Sequence, residues 1–204
     1  MSKDPKTLPT KRWVKRESLM TLEAYAKERK EFRARVIEHK RARTLHLGDH
    51  ITLLFEDELT IRYQVQEMLR IEKIFDEDGI EAELAAYNPL VPDGNNFKAT
   101  MLIEYDDTEE RRRALAKLKG IERKVWLQVE GCPRVFAIAD EDLERETDEK
   151  TSSVHFLRFE VTPEMISALK YGVALGFGVD HPNYQAEIPA VGAATRQSLV
   201  ADLA

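Results

Sequence analysis

Apolar and polar residues alternate along five short stretches of the chain: His50–Glu56, Phe97–Tyr105, Lys124–Val129, Arg134–Ala139 and Ser152–Val161. A period of two is the mark of a half-buried strand. In the first, Ile51, Leu53 and Phe55 share a face; in the second, Phe97, Ala99, Met101, Ile103 and Tyr105 do. In the last, Ser153, His155, Leu157, Phe159 and Val161 lie opposite Val154, Phe156, Arg158 and Glu160. The third and fourth stretches flank Glu130-Gly131-Cys132-Pro133, a turn composition that predicts a hairpin.

Between these stretches the period lengthens to that of a helix. Asp57 to Phe75 is the most informative segment. At about 100° per residue, Ile61, Val65, Met68, Leu69, Ile71, Ile74 and Phe75 cover a very wide arc, from which Gln64, Glu67 and Glu72 also project. Arg62, Gln66, Arg70 and Lys73 hold the narrow polar side. An arc so wide predicts a helix covered on more than one side, with carboxylates near its covered surface. Thr21 to Arg43 is a second helix, N-capped by Thr21, whose thin stripe of Leu22, Tyr25, Phe32 and Val36 runs through a highly charged surface. Further helices are predicted over Ile80–Ala86, over Thr108–Lys119, from Pro163 to Tyr171 behind a Thr162 cap, and over Val191–Leu203. Tyr87 to Asn96 reads as an ordered loop, and Asp140 to Lys150 as an acidic connector. Gly176 and Gly178 loosen an otherwise apolar run before Asp180-His181-Pro182-Asn183-Tyr184.

Two-sided strands, one hairpin and interspersed helices define an α+β fold. The expected form is an antiparallel sheet of about five strands, with the Asp57–Phe75 helix packed across one face and the charged helix at the N-terminal side. The expected division is a flexible basic arm over residues 1–17 and a single domain over 18–204.

Composition narrows the class. Of 204 residues, 43% are hydrophobic and 33% charged, and no apolar run is long enough to span a membrane. The N-terminus is basic but has no apolar signal core, so a cytoplasmic location is expected. Cys132 is the only cysteine, which excludes an intramolecular disulfide and any multi-cysteine metal site within this chain. The net charge of −6 hides a basic segment before Leu45 and an acidic remainder. Without a nucleic-acid motif, that asymmetry favours pairing with the protein's own surface or a sister subunit, as in a homo-oligomer, over nucleic acid.

Candidate chemistry centres on Gln64 and Glu67 of the long helix and His155 on a strand. A buried carboxylate must be neutral, paired or metal-bound, and Arg158, His155, His50 and Lys98 all sit on strands within the helix's expected reach. The commoner outcome is an internal network that only fixes the helix. Asp180 beside His181, followed by Tyr184, is either a turn or a second candidate pair. Convergence of Glu67, His155, Asp180 and His181 would suit a divalent transition metal such as iron, zinc or manganese; Gln64, Glu67, His155, Arg158 and Tyr184 would line a small-ligand site. Cys132 reads as a turn residue, and no phosphate-binding loop, nucleophile elbow or zincin motif is present.

The segments ITLLFEDELTIRYQVQEMLRIEKIF, AYNPLVPDGNNFKATMLIEY, KTSSVHFLRFE and GVDHPNY resemble the bacterial DUF3501 family of unknown function, with the likeness running from about Ser18 onward. The resemblance transfers no catalytic role. It implies a genomic setting beside rubrerythrin-like and iron–sulfur proteins, hence oxidative-stress defence or electron transfer. The expected function is an accessory or interaction protein working with a redox metalloprotein. The alternative is a metal- or small-ligand-binding protein, or an enzyme, with a His/carboxylate site.

Overall fold

The computed structural model describes residues 13–143 and 145–204. In chain order it contains α1 (Leu22–Arg41), β1 (Thr44–Leu47), β2 (Ile51–Phe55), α2 (Glu58–Glu72), α3 (Glu77–Tyr87), β3 (Asn96–Ile103) and α4 (Thr108–Lys117). These are followed by β4 (Val125–Val129), β5 (Val135–Phe136), β6 (Ile138–Ala139), β7 (Val154–Glu160), α5 (Pro163–Lys170), β8 (Leu175–His181), β9 (Tyr184–Ile188) and α6 (Ala193–Val200).

The fold is α+β, as the alternation predicts, but the strands form two antiparallel sheets instead of one. The first has the order β1-β2-β3-β7-β6 and the second β5-β4-β8-β9. Their inward rows are the ones the alternation picks out. Ile51, Leu53, Phe55, Phe97, Ala99, Met101, Ile103, Leu157 and Phe159 meet Val125, Leu127, Val129 and Phe177 in one apolar cluster. Phe177 packs 5.0 Å from Phe55 and 5.8 Å from Phe159 between ring centroids, joining the sheets. The predicted hairpin exists, with Trp126 paired to Phe136 and Leu127 to Val135. Its second arm then changes sheets at Ala137: Ile138 and Ala139 pair with Arg158 and Leu157 in the other sheet.

The long helix departs from expectation more sharply. Its buried residues do not join the cluster between the sheets. Ile61, Val65 and Leu69 pack with Ile80 and Leu84 of α3, Val91, and Val14 and Leu19 of the N-terminal segment. Leu59 and Tyr63 pack instead on Tyr25, Phe32 and Val36 of α1. So α2 is the middle member of a helical layer, with α1 on one side and α3 on the other, which accounts for the width of its apolar arc. Gln66, expected on the polar side, is 1% exposed and clamps the Met20 backbone, accepting from its amide at 2.9 Å and donating to its carbonyl at 3.1 Å.

Local chemistry sets the ends of α2. The Asp57 carboxylate accepts from the Thr60 amide at 2.9 Å while the Thr60 hydroxyl accepts from the Asp57 amide at 2.9 Å, a reciprocal capping box. At the other end Lys73 adopts the left-handed conformation (φ 56°) that stops the helix. Of the basic arm, residues 13–17 are docked. Val14 is buried, exchanging amide and carbonyl bonds with the Asn88 side chain, and Arg16 pairs with Glu77 on α3. The remainder of the arm lies outside the described residues.

Candidate functional site

Glu67 does not meet His155. It is held by α1: Arg29 donates from two nitrogens at 2.8 Å each, the Tyr25 hydroxyl donates at 2.6 Å, and Arg70 adds weaker bonds at 3.2 and 3.3 Å. The Arg29 bonds, outweighing burial, hold its carboxyl down at about 2. Burial, and then the bond to Glu67, pushes the Tyr25 phenol up. Gln64 is half-buried on the same helix. The strand-side partners expected for this helix have other engagements.

His155 lies at 0% exposure on the inward face of β7. Nδ1 is 2.6 Å from Asp140 Oδ2, and Nε2 is 3.0 Å from Thr151 Oγ1 and 3.1 Å from the Ser152 carbonyl. Carboxylate, imidazole and hydroxyl in line resemble a nucleophilic relay. Here, however, Thr151 is 1% exposed, so no substrate carbonyl reaches its oxygen. The arrangement instead ties the acidic connector to the sheet. Asp140 also accepts from the Phe156 amide at 3.0 Å, and these bonds hold it in a left-handed conformation (φ 51°) that a non-glycine residue adopts only at a cost.

The remaining predicted residues are similarly engaged. Arg158 grips Glu141 at 2.7 Å through two nitrogens and also pairs with Glu160. Lys98 gives its ammonium to the Pro89 and Val91 carbonyls and to Asp93. The Tyr184 hydroxyl donates to the Leu47 carbonyl at 2.5 Å and accepts from the His50 amide at 3.1 Å, pinning the β1–β2 turn. Gly48 makes that approach feasible: its φ is +68°, and a Cβ there would stand 2.6 Å from the phenol oxygen. His181 accepts from the Asn183 amide at Nδ1, so Nε2 carries the proton given to the Lys119 carbonyl at 3.1 Å. Asp180 is exposed, with Gln185 at 3.4 Å. Among the described residues, no three His, Cys, Asp or Glu side chains are grouped to hold a metal ion, so Glu67, His155, Asp180 and His181 do not form the convergent set considered from sequence. Cys132 is a half-buried turn residue whose carbonyl accepts from Gln128.

The polar centre that sequence reasoning missed lies where α1, the start of α2 and α6 meet. Arg43 is 2% exposed. It donates to the Phe55 and Glu56 carbonyls at 3.0 and 2.9 Å, to Ser198, and to Asp202 at 2.5 Å. Asp57 stands 3.5 Å from its Nε and 2.5 Å from His39 Nε2. Burial opposes ionisation of Asp57, yet Arg43, the Thr60 amide and His39 together depress its carboxyl. A cleft of about 300 Å³ opens there, lined by His39, Arg43, Asp57, Glu58, Ser198 and Asp202 among others. Beside it, Glu56 accepts from the Thr60 and Thr100 hydroxyls at 2.6 and 2.7 Å. Arg43 gave no signal in sequence because it reads as the last charge of a charged helix; its partners are up to 159 residues away.

Fold and site together define a protein in which two facing sheets carry a helical layer, and whose buried charges are spent mainly on holding those parts together. The chain belongs to the family described as protein of unknown function (DUF3501), whose model matches residues 13–203. The match therefore begins at Trp13, ahead of the Ser18 start expected from sequence. A crystal structure of a protein of unknown function from Burkholderia pseudomallei K96243 is similar, at 57% identity and a TM-score of 0.89, over 94% of this chain and 99% of that one. Among curated proteins no sequence matches. No helix among the described residues is long and apolar enough to cross a membrane.

Proposed function

We propose that the protein is an interaction module that associates with a second copy of itself through the outer end of the α2–α3 pair. The observation that carries this reading is the uncovered end of the long helix. Ile71, on the last turn of α2, is 58% exposed and Phe75, in the link beyond the Lys73 stop, is 79% exposed, although Ile61, Val65 and Leu69 of α2 are buried. Large apolar groups left in water on the last turn of α2 and in the link that follows it support a contact surface there. Exposed Glu72, Asp78 and Glu81, and exposed Lys73, lie close to them in sequence, and burial together with nearby Glu72 raises the carboxyl of Glu83. The exposed surface of α1 carries Lys27, Lys30, Arg33 and Arg35, interspersed with exposed Glu23, Glu28, Glu31 and Glu38. The exposed apolar groups thus carry the reading, and the basic side chains of α1 on a second copy are available to the carboxylates near them.

Multi-angle light scattering over a concentration series tests this. The expected mass exceeds the 23.5 kDa of one chain and falls to it in Phe75→Asp, with association weakened by salt. A wild-type chain that stays monomeric at every concentration sinks the reading. A redox metalloprotein as the partner rests on the sequence resemblance alone.

A second reading is favoured by His39, whose Nε2 is oriented by Asp57 at the edge of the 300 Å³ cleft. That dyad suits proton exchange with a small polar ligand. Its test is the NMR titration of the His39 ring in the presence and absence of small carboxylates and phosphates; identical curves remove it.

A further inference from the structure

On the outer face of the second sheet, cross-strand pairing places Phe136, Trp126, Gly178 and Glu187 in one row. Residues directly opposite one another share a face. Asp180 and its partner Gln185 occupy the next row on that face. Trp126 is 4% exposed although it points away from the core. Its indole rests against Gly178, where a Cβ would stand 2.2 Å from the ring. Above it sits the Arg134 guanidinium, 3.9 Å from the ring centroid. The indole Nε1–H is buried and has no hydrogen-bond partner. A cleft of about 380 Å³ opens beside the ring, lined by Arg134, Asp180, Gln185 and Glu187 as well as Trp126.

The charges do not balance within this cleft. Arg134 is 40% exposed and stands 3.7 Å from Glu187, a loose pair. Asp180 has a long contact with the neutral Gln185 amide. Among the residues lining the cleft, two carboxylates and the negative face of an indole share one weakly tethered cation, Arg134. Exposed Lys124 lies outside the lining but opposite Asp180 where the β4–β8 register continues, and the buried indole donor has no acceptor.

We infer that this cleft is a recognition site for an arginine residue: an incoming guanidinium takes the place of Arg134 over Trp126, between Asp180 and Glu187, and its amide carbonyl accepts from the indole Nε1–H. That donor is buried in the free protein and is reached once Arg134 leaves the ring. Arg134 is the internal occupant that fills the site in the free protein. The required chemistry is a planar cation with a carbonyl acceptor near it, supplied by a peptide or by free arginine. The site lies on the sandwich and is independent of the self-association surface of α2 and α3.

The probe is Nα-acetyl-arginine methylamide, with the neutral isostere Nα-acetyl-citrulline methylamide as control. In a Trp13→Phe variant, Trp126 is the only fluorophore of its kind. The expected result is a saturable change in emission with the arginine compound and none with citrulline. Asp180→Asn with Glu187→Gln abolishes it. Arg134→Ala removes the competitor and tightens binding at least about threefold. Stronger binding of the capped compound than of free arginine identifies a peptide as the source, and the reverse identifies the amino acid. No saturable change with either arginine compound in Trp13→Phe and Trp13→Phe/Arg134→Ala, or an equal response to citrulline, overturns the assignment.

Discussion

The Tyr25 hydroxyl and the Glu67 carboxylate, 42 residues apart, are joined by a 2.6 Å hydrogen bond that fixes α1 against α2. Arg29, one turn further along α1, reaches the same carboxylate, so a single side chain of α2 receives two from its neighbour. Side-chain exposure of 12% for Glu67 and 36% for Arg29 places the pair between a buried and a surface bridge. Glu67→Ala is expected to destabilise the fold by about 1–3 kcal/mol, and Tyr25→Phe by about 1 kcal/mol. Urea denaturation measures both. A non-additive double mutant is expected, since the two changes remove a shared bond.

The same carboxylate gives the stability a pH signature. Its folded-state value of about 2 lies below the 4.5 of an ordinary glutamate, so the folded state favours the ionised form. The resulting stabilisation is fully present above about pH 4.5 and disappears as pH falls toward 2. After discounting for the partly exposed Arg29, it amounts to about 1–2 kcal/mol. In Glu67→Gln that part of the acid sensitivity vanishes. Parallel acid-unfolding curves for wild type and variant would count against it.

Strand chemistry was legible because a two-residue period needs only a few neighbours: Ile51, Leu53 and Phe55, and Phe97 through Ile103, face inward as their alternation requires. What the period cannot encode is which strands share a sheet. The turn at Ala137, which sends one predicted strand into both sheets, depends on partners far along the chain. β8 and β9 escaped because Gly176 and Gly178 read as breakers. In the fold those glycines are close-approach sites, against the Ile188 and Pro189 carbonyls and the Trp126 ring respectively. At the candidate site, the need of Glu67 for a partner was readable from its helix face. The identity of that partner was not, because α2 meets α1 instead of a sheet.

Arg43 should be the most sensitive charged position. Its removal breaks the 2.5 Å pair with Asp202 and takes a donor from the Phe55 and Glu56 carbonyls. Arg43→Met is expected to cost about 3–5 kcal/mol. Arg43→Lys should rescue little, since an ammonium cannot reproduce a fork that reaches two carbonyls, Ser198 and Asp202 at once. Thermal unfolding compares the two directly; a lysine variant near wild-type stability would show that charge alone suffices there.

Gly178 offers a sharper test of packing, because its crowding has a removable cause. Gly178→Ala places a Cβ 2.2 and 2.6 Å from two atoms of the Trp126 indole and 2.9 Å from the Ala186 carbonyl. Overpacking of this kind costs about 1–3 kcal/mol, and the ring must lift from the sheet to relieve it. Lifting exposes the indole, so Trp126 emission should shift to longer wavelength as stability falls. In a Trp126→Ala background most of the penalty should disappear, leaving the smaller strain against the Ala186 carbonyl. Gly176→Ala is the control: its Cβ would meet the Pro189 and Ile188 carbonyls at 2.6 and 2.9 Å, backbone atoms that no side-chain deletion removes. Its penalty should therefore be the same with and without Trp126. Equal rescue of both alanine variants would mean that the indole does not rest on Gly178.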